Sequence, residues 1–244
     1  MSAVVLTPDN PRGLRDLPFA LPGATTAQKT RARRIYKDLE ERHPDAHCEL
    51  DFTHPHELLI ATILSAQATD VGVNKATPGL FKAFPTPEDY AASSPKQIEP
   101  YIKTIGLFRN KAKSVHSAMV RVVEEYGGEV PRTMDELLSL RGVARKTAGV
   151  VLGDAFGIMM GVVVDTHVER ISKRFGLVPE DATVAMTERH LMAQFPRPKW
   201  SRLSHLLIFH GRRSCKARGG ACADDDICRK YCSNSRVMRE EAKK

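Results

Sequence analysis

Residues 140–167 read LRGVARKTAGVVLGDAFGIMMGVVVDTH, with Lys146 opening an apolar helical pattern and Asp165 standing just beyond it. Asp154 is the one charge between them. A lysine in the first turn of a helix meets the positive end of the helix dipole, and beside Arg145 it is doubly disfavoured as a cation. As a neutral amine it is a nucleophile able to form a Schiff base. As a cation it is a simple phosphate ligand, and the residue types leave both readings open. Asp165 follows Gly161-Val162-Val163-Val164 and so emerges from a packed segment. It can act as a proton acceptor for the lysine or as the N-cap of a helix that continues through Thr166 and His167.

The elements before Lys146 bear on the same chemistry. Thr133-Met134-Asp135-Glu136 has the form of a capping box, opening a short helix that stops at Arg141-Gly142. A second helix starts near Lys146. Two short helices joined by a glycine-bearing turn offer backbone amides to an anion, and Arg141 and Arg145 add charge. Gly142, Val143 and Ala144 are therefore candidate contacts to a DNA phosphate, although many such turns are only structural.

Five cysteines are unevenly placed: Cys48 stands alone, while Cys215, Cys222, Cys228 and Cys232 crowd one C-terminal segment. In an intracellular chain such a cluster favours metal over disulfides. The gaps are x6, x5 and x3, without the paired CxxC knuckles common in zinc sites. Four thiolates suit an iron–sulfur cluster or a tetrahedral zinc, with unligated cysteines the remaining reading. Cys48 reads as a buried small residue. The loop KARGGA between the first two cysteines carries Lys216 and Arg218, just after Arg212-Arg213. Pinned by a metal, these four cations form a phosphate-contacting surface; unpinned, they form a solvated basic loop.

Thirty-seven Lys and Arg against 29 Asp and Glu leave a net charge of +8, which suits a polyanionic partner without requiring one. The first residues, MSAVVLTPDNPRG, lack a basic n-region and a sustained apolar core, and Val150 to Val164 is too short to span a bilayer. The expectation is a soluble, cytoplasmic monomer, nucleoid-associated if bacterial, with no membrane partner. Proline and glycine in residues 1–28 predict a loosely attached extension. Helical patterns then recur between capping signals and breakers, giving an all-α reading of about ten helices with essentially no sheet.

Taken together, these motifs resemble the endonuclease III family, DNA glycosylase/AP lyases of the helix–hairpin–helix superfamily. The segments LLIATILSAQATDVGVNKA, IKTIGLFRNKA, LRGVARKTAGVVL, VVVDTHVER and LLIFHGRRSC match, in order, segments of that family, and the likeness runs from about Arg31 to Cys232. The resemblance implies two helical domains, a six-helix one at 48–159 and a cluster domain of 29–47 plus 160–244. It places the DNA-binding cleft between them. It implies Lys146 as nucleophile, Asp165 as its partner, and a [4Fe–4S] cluster on Cys215, Cys222, Cys228 and Cys232. Gln67 and Leu107 fall at its wedge positions, and His167, Lys216 and Arg218 join the DNA-binding set.

The implied activity is bifunctional: excision of oxidised pyrimidines such as thymine glycol from double-stranded DNA, then cleavage at the abasic site. A different base preference on the same scaffold and a non-catalytic damage-binding protein are the alternatives. Three departures stand out. Arg141 replaces the family's proline, Ala144 replaces its second glycine, and the cysteine gaps differ from the family's x6, x2, x5. A positive φ at position 144 would strain an alanine by about 1 kcal/mol or more.

Overall fold

The computed structural model describes residues 17–218, 222 and 224–233, and among them every regular element is helical. The chain forms two compact units: residues 1–47 with 159–244, and residues 48–158. Helix α1 (Thr26–Arg42) belongs to the first unit. It begins at a full capping box, Thr25 and Gln28 each satisfying the other's backbone amide. Of the extension expected over 1–28, residues 1–16 lie outside the described residues. Leu17, Phe19 and Leu21 pack against the core, and the Arg189 guanidinium sits 4.6 Å from the centre of the Phe19 ring.

The 48–158 unit contains α2 (Pro55–Ser65), α3 (Asp70–Ala83), α4 (Pro87–Ala91), α5 (Pro95–Ile98), α6 (Phe108–Tyr126), α7 (Met134–Ser139) and α8 (Arg145–Val150). Helix α2 is its centre. Its sequence, PHELLIATILS, is apolar on all sides, and every residue from 58 to 64 is buried. Pro55 at its first position and Glu57, whose Oε2 accepts from the His54 amide at 3.0 Å, set where it starts. The amphipathic α6 lays Ala112, Val115, Met119 and Val122 into the same core. Helix α8 runs into a wider π turn over Val151–Ala155, which ends before Gly157 at φ +66°.

The other unit adds α9 (Thr166–Arg174), α10 (Val184–Gln194), α11 (Trp200–Arg213) and α12 (Asp226–Tyr231). Ile35 and Leu39 of α1 meet Val168, Ile171, Trp200, Leu203 and Leu207 in one core that also encloses the four C-terminal cysteines. Helices α9 and α11 pack closely at Gly211, where a Cβ would lie 2.8 Å from His167 Nδ1. No helix among the described residues is long and apolar enough to cross a membrane.

Candidate functional site

The candidate functional side chains fall into three places. The first is the α7–α8 hairpin. Thr133 caps α7, its hydroxyl accepting from the Glu136 amide at 3.3 Å, and the chain turns after Leu140. Gly142 takes φ +85°, and a Cβ there would sit 2.9 Å from that of Ser114 in α6. Glycine is thus required twice, by conformation and by close approach. Val143, 8% exposed, plugs the turn into the core, while Arg141, Gly142 and Ala144 remain exposed. The expected strain at Ala144 is absent: it is the N-cap of α8 with φ −97° and ψ 169°, extended backbone open to any residue. Lys146 follows in the first turn of α8, exposed, with Arg145 half-buried beside it. Neither an acidic side chain nor a capping side chain occupies that helix start.

Two further turns of the same unit carry Gln67 and Leu107. They are the only non-glycine residues with positive φ among the described residues, at 56° and 60°. Left-handed backbone disfavours both side chains by about 1–2 kcal/mol each. Both are exposed, Leu107 by 61%. The hairpin packs on the helices that flank these turns, since Gly142 abuts Ile63 of α2 as well as Ser114 of α6.

The second place is the start of α9. Asp165 is its N-cap, and one oxygen, Oδ1, accepts from the amides of His167 and Val168, both at 2.8 Å. The capping role is therefore real. It leaves Oδ2 outside both bonds and holds the half-buried carboxylate in one orientation. Further along α9, Arg170 Nη2 reaches the carbonyls of Gly211 and Cys215, each at 3.1 Å, and lies 3.2 Å from His167 Nδ1.

The third place is the cysteine cluster. Cys215, Cys222, Cys228 and Cys232 are all buried, with Sγ separations of 3.9 Å for Cys215–Cys222 and 3.7 Å for Cys222–Cys232. The sulfurs of Cys215, Cys222 and Cys228 lie within 4.8 Å of one another. The unusual x3 gap has a simple geometry: Cys228 lies in α12 and Cys232 is its C-cap, one helical turn on, with the Cys232 amide bonded to the Cys228 carbonyl at 2.8 Å. Hydrogen bonds from Cys228 and Cys232, reinforced by Arg174, hold Cys215 far below the usual thiol range. Arg174 donates to Cys215 Sγ at 3.2 Å and to the Lys216 carbonyl at 2.9 Å. Four converging buried sulfurs, with a guanidinium to offset their charge, fit a metal group held by thiolates. The Sγ separations of 3.7 and 3.9 Å match a single tetrahedral ion with bonds of about 2.3 Å, whereas a four-iron cluster holds its thiolates further apart, so metal analysis discriminates the two.

Lys216 and Arg218 are exposed beside the cluster, whereas residues 219–221 of their loop lie outside the described residues. Arg213 departs from the sequence expectation of a free basic surface. It pairs bidentately with Asp45 at 3.0 and 2.7 Å and stacks over Phe209. Sequence reasoning also missed Arg170, Arg174, His43 and His210. Only the spacing of His210 ahead of Cys215 in LLIFHGRRSC hinted at any of them.

An all-helical unit with a glycine hairpin, a lysine at the following helix start and a separate four-cysteine centre define a class, and comparison with known proteins agrees. The profile of HhH-GPD superfamily base excision DNA repair proteins matches residues 60–197. Endonuclease III of Synechocystis sp. is 48% identical over 198 residues, covering 81% of this chain and 90% of that protein. A non-covalent endonuclease III–DNA complex superposes with a TM-score of 0.82 at 43% identity, over 87% of this chain and 98% of that one. A trapped endonuclease III–DNA covalent intermediate gives 0.81 at 43% identity, over 86% and 98%. The chain belongs to the endonuclease III family of the HhH-GPD superfamily.

Proposed function

We propose that the protein is a bifunctional DNA glycosylase and AP lyase of base excision repair, acting on oxidised pyrimidines of the thymine glycol type in double-stranded DNA. Family membership and likeness to an endonuclease III trapped covalently on DNA support the reaction class. The observation that carries the residue assignment is Lys146, exposed at an uncapped helix start directly after the glycine hairpin. Such relatives also support action in the cytoplasm, at the nucleoid in a bacterium.

The damaged nucleotide leaves the base stack, which costs a few kcal/mol in unstacking, and Gln67 and Leu107 fill the vacated space. Their strained, exposed turns suit residues held ready for insertion. The hairpin amides of Gly142, Val143 and Ala144, with Arg141 and Arg145, bind backbone phosphate. His167, Lys216 and Arg218 add contacts to the DNA. Lys146 Nζ attacks C1′ of the sugar while the C1′–N bond breaks and the base departs with its electron pair. The carboxylate of Asp165 stabilises positive charge on the sugar and accepts the amine proton. Ring opening gives an imine between Nζ and C1′. Loss of a C2′ proton then expels the 3′ phosphate, and water hydrolyses the imine to release the enzyme.

The four cysteines hold a [4Fe–4S] cluster in this reading. Bound there, it would supply a structural staple beside Lys216 and Arg218. Borohydride trapping on duplex containing an abasic site tests the chemistry. Wild type forms an adduct; absence of one sinks the lyase reading, and an adduct persisting in Lys146→Ala sinks the assignment of the nucleophile. Purified protein is expected brown and iron-containing. Colourless protein with stoichiometric zinc overturns the cluster assignment.

A further inference from the structure

The helix that carries Cys228 is gripped by residues that neither bind DNA nor act on it in the reading above. Helix α1 holds α12 at several points. Asp38 accepts from Lys230 Nζ at 2.6 Å and from Tyr231 Oη at 2.8 Å, and Arg31 donates to the Tyr231 carbonyl at 3.3 Å. Arg42 pairs with Asp225, the N-cap of α12, at 2.9 Å, and also with Asp226.

This grip ends on two imidazoles inside the core. His43, the C-cap of α1, is 2% exposed, and His210, in the last turn of α11, is fully buried. His43 Nε2 lies 3.3 Å from His210 Nδ1, and His210 Nε2 lies 3.3 Å from Cys228 Sγ. A neutral imidazole has one N–H, and a metal-bound sulfur has no proton to give. The direction of the chain follows. His210 Nε2–H donates to Cys228 Sγ, its Nδ1 accepts from His43 Nε2–H, and His43 thereby fixes the tautomer that faces the sulfur.

We propose that His43 and His210 form a buried hydrogen-bonded pair that holds Cys228 as a metal ligand and raises the electron affinity of the group bound there. The inference rests on the cysteines being a metal site. An N–H directed at a ligating sulfur stabilises negative charge on it, most in the reduced state, and fixes the ligand's orientation. The departure in cysteine spacing has a consequence here: it places Cys228 within α12, where His210 reaches its sulfur. Both histidines are positioning residues, and neither touches substrate.

The test uses the full chain as purified, in wild type and in His210→Phe, His210→Gln and His43→Phe. Metal content, rate of metal loss to a chelator, midpoint potential by voltammetry and circular dichroism are measured. His210→Phe is expected to keep its helical signal, release metal about 10-fold faster and shift its potential to more negative values. His210→Gln, whose amide can donate to the sulfur, restores most of both. His43→Phe is intermediate, and it carries the test if His210→Phe does not fold. Loaded wild type with release and potential unchanged in His210→Phe and His43→Phe overturns this inference alone. Wild type purified without metal overturns the metal site and this inference with it. Zinc in place of iron overturns the effect on electron affinity, and the release rates then decide the ligand-holding role.

Discussion

The hairpin of the 48–158 unit and the cysteine centre of the other unit hold their candidate groups in opposite ways. At the hairpin, Arg141, Gly142, Ala144 and Lys146 are exposed, and the shape comes from the main chain: a positive φ at Gly142 and Val143 sunk beneath it. At the cysteine centre all four sulfurs are buried, and the shape comes from side chains of α1, α9 and α11 that converge on it. If the hairpin receives a polyanion, as proposed, its exposed groups suit that role and the backbone positions them. A site buried in an apolar core must satisfy every polar atom internally, which recruits partners from distant parts of the chain.

The contrast can be broken most severely at Lys146. Lys146→Ala should lower strand cleavage by at least about 1,000-fold while leaving the thermal midpoint near wild type, because the side chain is exposed and supports no packing. A cleavage rate within tenfold of wild type would remove the lysine from the chemistry.

Asp165 tests whether capping and chemistry separate. Asparagine caps as well as aspartate, so Asp165→Asn should retain stability, whereas Asp165→Ala should lose about 1 kcal/mol in denaturant unfolding. Both should lower base excision by about 100-fold or more in single-turnover assays. Equal activity of wild type and Asp165→Asn would leave the residue a cap only.

Smaller effects probe the turns. Gly142→Ala should cost about 1–3 kcal/mol and weaken DNA binding, because φ +85° and the 2.9 Å approach to Ser114 both oppose a Cβ. Leu107→Gly removes about 1 kcal/mol of left-handed strain and adds a comparable entropic cost, so stability should hold while excision from duplex falls. Undiminished excision would deny Leu107 its insertion role. Ala144→Gly should change stability by no more than about 1 kcal/mol, since Ala144 already has extended backbone. A large gain in stability would mean that the alanine is strained after all.

Much of the scaffold was legible because it depends on local pattern. The apolar run ELLIATILS reads as a helix from its spacing, and it forms the buried α2. Thr133, Gly142 and the C-terminal cysteines announce a cap, a turn and a cluster of thiols by residue type alone. Other features had no local signal. Gln67 and Leu107 adopt left-handed backbone that neither residue prefers, so only the surrounding packing could impose it. Arg213, read as a free cation, pairs with Asp45 of a segment distant in sequence.

The sequence by itself determined the helical class and the family and nominated the candidate residues, because these rest on side-chain identity and on spacing within one element. Tertiary structure alone decided that Ala144 is unstrained, that Asp165 presents one oxygen to the amides of α9, and that His43 meets His210 and Cys228. Each of those depends on a dihedral angle or on contacts between residues far apart in the chain. Both are set by how helices pack, and no short stretch of sequence encodes them.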